Sequence, residues 1–224
     1  MLQNPVQIPR IDVNLAFDAI FTEMPSRGLG DIFLVSAMAL LKPATMWTTS
    51  PPSDSNFASL LLHGVFPMAP APSGDHSLGL QGLGQFLKFG PMLRALHGRQ
   101  WNLTPHAVSC EAAAQTQHCS ANVFDVPDGQ LIAVIALSSN GSAVEDEFES
   151  ITHDEPSLHT HPPPPPPPAS GTVRVRLAPA LLESKGKVES LQVGRTAPWV
   201  SIHTTEALHV EAGIAMLRFT PTRP

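Results

Sequence analysis

The sequence predicts an α+β fold in which a short helical N-terminal region is followed by an antiparallel β-sandwich. Apolar residues recur at helical spacing before Gly98, and short apolar runs separated by turn residues begin at Trp101. Seven consecutive prolines, Pro162 to Pro168, interrupt the strand-rich part. We therefore divide the chain into a helical region (1–98), a β-sandwich (99–137 and 171–224) and an acidic, His- and Pro-rich insertion (138–170) predicted to be disordered.

Composition limits the classes of protein to consider. The chain has 224 residues, of which 42% are hydrophobic, and this is enough to form a packed core. Its 13 Lys and Arg residues are scattered and its formal net charge is -6, so we expect no nucleic-acid partner. The absence of Tyr weakens any sugar platform built from phenol rings, although three Trp and ten Phe remain. The apolar run from Ile32 to Leu41 is too short to span a bilayer, and we expect a soluble protein without a transmembrane segment.

The two cysteines admit two interpretations. Cys110 and Cys119 could close a hairpin-like disulfide if the chain enters an oxidising compartment. The N-terminal stretch MLQNPVQIPRIDVN lacks a basic segment followed by a long apolar run, so we expect no signal peptide on this chain. That favours reduced thiols, although the parent of a fragment could still be secreted. Two N-glycosylation acceptor sequences, at Asn102 and Asn140, matter only in the secreted case.

The helical region is predicted from caps and apolar spacing. A first helix carries apolar residues from Val13 to Met24, after the N-cap Asp12, and a second carries apolar residues from Ile32 to Leu40. The Ser/Pro/Asp-rich stretch Thr48 to Asn56 predicts a surface loop. A third helix, Leu78 to Leu96, presents a leucine stripe typical of a core face and breaks or restarts at Gly90-Pro91.

Short strands are predicted from Trp101 to the end of the chain. The clearest hairpin runs from Val123 to Leu137 around a Pro127-Asp128-Gly129 turn, and its LIAVIAL segment suits a central strand covered on both faces. Extended segments are also expected at Trp101 and Val108. After the insertion, five more strands are expected at Thr172–Leu177, Val188–Val193, Trp199–Ile202, Ala207–Val210 and Ile214–Phe219. The number and spacing of these strands favour a β-sandwich, with a small barrel as the alternative.

The insertion contains residues that resemble a metal site only in composition. His153, Asp154, His159 and His161 lie in a charged segment with no supporting shell, and we predict no metal and no cofactor. The proline run Pro162 to Pro168 suits a polyproline II spacer. A proline-binding adaptor is the alternative partner, although the run lacks the flanking arginine that such ligands often use.

Four segments together resemble the C-terminal portion of large glycoside-hydrolase-like proteins: HGVFPMAPAPSGDHSL, FGPMLRALHGRQWNLTPHAVSC, ANVFDVPDGQLIAVIAL and GIAMLRF. In those proteins the end of a (β/α)8 barrel is followed by an accessory β-sandwich. The resemblance covers Leu60 to Leu137 and, more weakly, Thr172 to Phe219. It implies that the helical region is the remnant of a barrel and that Trp101 begins the sandwich.

The resemblance also implies what is missing. Glycoside hydrolysis uses two carboxylates that flank the scissile bond, and in a barrel they lie at strand ends spread over the domain. About 100 residues upstream of Trp101 cannot form eight βα units, so the catalytic residues are unknown and most of them are expected to be absent. Asp75 and His76 would face the barrel mouth. With His63 and Trp47 they form the predicted substrate-binding cluster, for which an ordinary surface pair is the alternative.

Two classes of function follow. The first is a C-terminal fragment of a glycosidase-like protein whose β-sandwich accessory domain supports or contacts carbohydrate and is not catalytic by itself. The second is a non-catalytic β-sandwich module that binds glycan or protein. A gene product without a stable fold over part of its length is a third hypothesis.

Overall fold

The computed structural model describes residues 20–22, 44–47, 53–68, 79–139, 169–179, 185–194, 199–203 and 207–221. These residues form two α-helices and three β-sheets, an α+β arrangement with more strand than helix. The helices are α1 (Asp54–Leu62) and α2 (Gly79–Ala95). The strands are β1 (Ile20–Thr22), β2 (Ala44–Trp47), β3 (Val65–Met68), β4 (Gln100–Trp101), β5 (Val108–Ala112), β6 (Gln117–Val126), β7 (Gln130–Ser139), β8 (Gly171–Leu177), β9 (Lys185–Gln192), β10 (Val200–Ser201), β11 (Leu208–Val210) and β12 (Ile214–Pro221). None of the helices in these ranges is long and apolar enough to cross a membrane.

The first sheet is parallel, and its strands lie in the region (1–98) for which the sequence predicts helices. Strand β1 pairs with β2 and β2 pairs with β3, so the strands lie side by side in chain order. The first predicted helix is wrong where the structure describes it, because Ile20–Thr22 is a strand. A short buried parallel strand is apolar without alternation, and its pattern cannot be distinguished from one helical turn. The second predicted helix, from Ile32 to Leu40, lies outside the described residues.

Helix α1 begins inside the segment that was predicted as a surface loop. The Ser53 hydroxyl accepts a hydrogen bond from the backbone N–H of Asn56 at 3.1 Å, and Asp54 lies in the first turn. The loop prediction is therefore wrong from Asp54 to Asn56, because residues that favour turns also cap helices. Phe57 and Leu61 are fully buried on the inner face of this helix.

Helix α2 confirms the predicted helix but runs through Pro91 without a break. Phe89 and Met92, on either side of the proline, are 0% and 1% exposed. A proline inside a helix costs about 3 kcal/mol. Burial of these two side chains, at about 1.5–3 kcal/mol each, is large enough to offset that cost.

The six-stranded antiparallel sheet has the order β10-β9-β12-β7-β6-β4 and forms the centre of the fold. The predicted hairpin is present as β6 and β7, which pair over ten positions from Gln117↔Ser139 to Val126↔Gln130. The turn between them places Asp128 at φ 69°, a left-handed conformation that Asp tolerates better than most residues.

Strand β7 is central and covered on both faces, as the sequence predicts. Its Ile132 and Val134 join a cluster on the side of α1 and α2, which includes Phe57, Phe89 and Phe124. We call this set the helix-side cluster. The alternate residues of β7 point the other way, and we call the set they join the inter-sheet cluster. That cluster also contains Val173 of β8 together with Leu208 and Val210 of β11.

The inter-sheet cluster lies between the six-stranded sheet and a third, antiparallel sheet of order β11-β8-β5. All five strands predicted after the insertion are present as β8 to β12, with ends that differ by a few residues. The run Pro162 to Pro168 lies outside the described residues, and the chain is described again from Ala169.

A disulfide joins Cys110 of β5 to Cys119 of β6, with a Cα–Cα distance of 5.8 Å. The expectation of reduced thiols is therefore wrong. The two strands belong to different sheets, and the close approach of their Cα atoms depends on how the connection between them crosses from one sheet to the other. Sequence spacing alone does not determine that geometry.

Candidate functional site

The parallel sheet places the ends of its strands along one edge. Because β1, β2 and β3 run in the same direction, their last residues, Thr22, Trp47 and Met68, lie at the same edge, and Trp47 pairs with Met68. We call this the carboxyl edge. In parallel α/β architectures, ligands bind beyond the carboxyl ends of the strands. The sequence-predicted Trp47 is therefore in a position suited to a ligand.

Two other predicted site residues follow this edge in the sequence. Asp75 and His76 come after Met68 by seven and eight residues, and both lie outside the described residues. Their distance from Trp47 is not part of the described structure, so their role stays a prediction.

His63 lies elsewhere. It is the C-cap of α1 and precedes β3, which places it toward the opposite, amino-terminal edge of the parallel sheet. The four residues of β3 separate the two edges by roughly 10 Å. Burial lowers the pKa of His63 from 6.5 to about 4, so its imidazole is neutral at physiological pH. The structure does not bring His63 together with Trp47.

A carboxylate that the sequence analysis did not consider follows the first strand. Glu23 comes directly after Thr22 in the sequence, although it lies outside the described residues. The signal that could have singled it out is a carboxylate two residues after the end of a short apolar run, Ala19-Ile20-Phe21. That signal was hidden because the run was assigned to a helix.

A buried cation supports the parallel sheet from the side of the large sheet. Arg99 is 8% exposed, and its guanidinium lies 4.0 Å from the centroid of the Phe66 ring on β3. Burial lowers the pKa of Arg99 to about 10, so the side chain is still charged at neutral pH. A Cβ atom on Gly64 would lie 2.8 Å from Arg99 Nε and 2.7 Å from a Phe124 ring carbon. This close packing fixes β3 against the six-stranded sheet.

A second polar group lies on the helix-side face of the large sheet. Glu189 accepts hydrogen bonds from Arg218 at 2.7 and 3.0 Å and lies 2.8 Å from the Lys187 ammonium. Burial alone would raise the pKa of Glu189, but the hydrogen bonds and charges of Lys187 and Arg218 outweigh it and lower the pKa. The Arg218 guanidinium also stacks over Trp199 at 4.4 Å. The partners satisfy each other, so we assign this network a structural role.

A cleft opens between the edges of the two antiparallel sheets. It has a volume of about 180 Å³ and lies between β9 and β10 on one side and β11 on the other. Gln192 bridges the two sheets: its Nε2 donates to the His209 carbonyl at 2.6 Å, and its Oε1 accepts from the Glu211 N–H at 3.4 Å. Ser190, 8% exposed, lines the cleft beside Gln192. The volume and mixed polarity suit one small polar group.

No three His, Cys, Asp or Glu side chains of the described ranges converge on a point that could hold a metal ion. The histidines and aspartate of the insertion, from His153 to His161, lie outside those ranges.

Comparison with known proteins adds no further constraint, because no family model, no curated protein and no solved structure matches the chain.

Proposed function

We propose that this chain is the C-terminal part of a glycoside-hydrolase-like protein, in which a β-sandwich accessory domain supports or contacts carbohydrate and is not catalytic by itself. The observation that carries the proposal is the parallel sheet. Its three strands lie in chain order, and a helix connects β2 to β3, as in consecutive units of a (β/α)8 barrel. The two antiparallel sheets that follow and share the inter-sheet cluster fit an accessory β-sandwich.

The proposal assigns no hydrolytic activity to the isolated chain. A (β/α)8 barrel needs eight parallel strands, and the described residues before β4 contribute three. The three described strands do not by themselves form the barrel mouth at which the pair of carboxylates required for hydrolysis would lie. We therefore expect the chain to bind glycan without turnover.

The carboxyl edge is the proposed carbohydrate contact. Trp47 ends β2 at this edge, and an indole ring can stack on the apolar face of a sugar. Asp75 and His76, which follow β3 in the sequence, would supply hydrogen bonds to hydroxyl groups. His63 was predicted as a fourth contact, but it lies toward the other edge of the sheet, so its variant serves as a control.

A glycan array probed with the full chain tests this function, with hits measured by calorimetry and by hydrolysis of the corresponding aryl glycosides. We expect saturable binding that falls at least tenfold in Trp47→Ala and Asp75→Asn, with His63→Gln unchanged. Failure to bind any glycan would refute the proposal. Hydrolysis abolished by Asp75→Asn would replace it with an enzymatic function.

The second candidate function is a non-catalytic β-sandwich interaction module that binds glycan or protein. The cleft lined by Ser190 and Gln192 favours it, because this opening lies between the two antiparallel sheets and is remote in sequence from the carboxyl edge. Binding lost in Ser190→Val and kept in Trp47→Ala would support the module. The proline run Pro162 to Pro168 is a further proposed contact, for a proline-binding adaptor domain, and its replacement by Gly/Ser tests that contact separately.

A further inference from the structure

The disulfide is of a kind that is typical of oxidising compartments. Cys110 and Cys119 link the three-stranded sheet to the six-stranded sheet, and no described cysteine is free. Disulfides form and persist in the secretory pathway and outside the cell, and they are rare in the cytosol. N-glycosylation takes place in that same pathway, so the disulfide gives significance to the acceptor sequence that precedes it by a few residues.

The acceptor sequence Asn102-Leu103-Thr104 lies in the loop directly after β4. The Asn102 Oδ1 accepts a hydrogen bond from the Thr104 N–H at 3.0 Å, and its Nδ2 donates to both carboxylate oxygens of Asp125 at 3.1 Å. Leu103 is 69% exposed, and the chain stays exposed through His106. Asn102 itself is half-buried, with its amide held against Asp125, and the residues that follow it are exposed.

We propose that Asn102 is an N-glycosylation site. In the reaction, the Asn102 Nδ2 attacks the anomeric carbon of an oligosaccharide carried on a lipid diphosphate. The bond from that carbon to the diphosphate oxygen breaks, the lipid diphosphate leaves with the electron pair, and the amide loses one proton. The product keeps one N–H on Nδ2, so it can still donate a hydrogen bond to Asp125.

The place of Asn102 in the fold explains what a glycan would do there. Strand β4 is the last strand of the six-stranded sheet, and the outer edge of a terminal strand is a site of unwanted pairing with other chains. A glycan on the residue that follows Trp101 would lie beside this edge strand, next to Asp125 of β6. It would also shield Leu103, one of four large hydrophobic side chains exposed among the described residues.

One peptide measures both the modification and its premise. Free thiols of the protein isolated from its own cells are blocked with one reagent, the disulfides are then reduced, and the released thiols are labelled with a second reagent. Digestion with trypsin and a Glu-specific protease releases Gln100–Glu111, in which Asn102 is the single Asn and Cys110 the single Cys. Enzymatic removal of N-glycans converts a glycosylated Asn102 to Asp in this peptide. We expect this conversion together with the second label on Cys110.

Four variants, expressed as full chains in the same cells, locate the modification. Asn102→Gln and Thr104→Ala should abolish conversion of this peptide, whereas Thr104→Ser preserves the acceptor pattern and should keep it. Asn140→Gln removes the other acceptor sequence and should leave the Gln100–Glu111 peptide unchanged. An unmodified Asn102 in the native protein, or the first label on Cys110, would overturn the proposal. Neither result depends on whether the chain binds glycans.

Discussion

The disulfide between Cys110 and Cys119 gives the most direct prediction about stability. The two cysteines are nine residues apart, and the chain-entropy model for a loop of this length predicts that the cross-link stabilises the fold by roughly 3 kcal/mol. For a chain of this size, that difference lowers the melting temperature by about 6–12 °C when the bond is reduced. Comparing the oxidised and reduced wild-type chain is the cleanest perturbation, because it leaves every side chain in place.

Urea unfolding at neutral pH, followed by circular dichroism, measures the effect. The double variant Cys110→Ala/Cys119→Ala should unfold close to the reduced wild type and should not respond to reductant. Ser109→Ala, on the exposed side of β5, is the matched control and should change the free energy of unfolding by less than about 0.5 kcal/mol. Coincident unfolding curves for oxidised and reduced wild type would show that the cross-link does not tie the two sheets together, and would refute this reasoning.

Three further predictions concern the packing between the sheets and two titrating groups. Gly64→Ala should lower the free energy of unfolding in urea by about 2–4 kcal/mol, because φ of Gly64 is +63° and the added Cβ would lie 2.7 Å from the Phe124 ring. Gly84→Ala is the control: Gly84 has open space around it in α2, so this variant should be neutral or stabilise the fold by up to about 1 kcal/mol. Glu189→Gln should cost roughly 1–3 kcal/mol at pH 7. The pKa of Glu189 in the folded state lies below its ordinary value of 4.5, so this contribution to stability is present above pH 4.5 and is lost as pH falls through the folded pKa. Wild type and variant should therefore have the same stability in strong acid. A stability difference that persists at all pH values would contradict the ion pair. His63 has a folded pKa of about 4 against an ordinary value of 6.5, so its contribution to stability is present above pH 6.5 and is lost between pH 6.5 and 4. In His63→Gln, the free energy of unfolding should therefore fall less over that pH window. Equal slopes of the free energy of unfolding against pH in wild type and variant would show that His63 is solvated.

The antiparallel part of the fold was predictable because its signals are local. The Pro127-Asp128-Gly129 turn fixes the β6–β7 hairpin, and the continuous apolar run of β7 indicates burial on both faces. After the insertion, Gly194 and Gly213 lie between strands and both have a positive φ. Glycine favours that conformation, so these turns could be recognised from the sequence.

The parallel sheet was not predictable in the same way. Strand β1 has three residues and β2 and β3 have four each. Segments of this length are too short for a hydrophobic periodicity to distinguish a strand from a helix. Pairing between parallel strands is non-local, since β1 and β2 are joined by more than 20 residues. Helix α2 was placed correctly, but Gly90 and Pro91 indicated a break within it. The helix continues through these residues because Phe89 and Met92 are buried on either side of the proline.

The candidate site was only partly predictable for a related reason. Trp47 and His63 are close in sequence, yet the direction of the parallel strands separates them toward opposite edges. The cleft beside Ser190 and Gln192 is formed by strands from two sheets, so no sequence motif marks it. The disulfide likewise depends on how the connection from β5 to β6 passes from one sheet to the other. Sequence spacing alone was compatible with both a disulfide and two reduced thiols.

Glycan-array binding by the full, oxidised chain, with Trp47→Ala as the paired variant, tests the proposed carbohydrate contact at the carboxyl edge. We expect saturable binding to a defined glycan that is lost when the indole at the carboxyl edge is removed. No retained glycan, or binding that Trp47→Ala leaves intact, would contradict a carbohydrate contact at that edge.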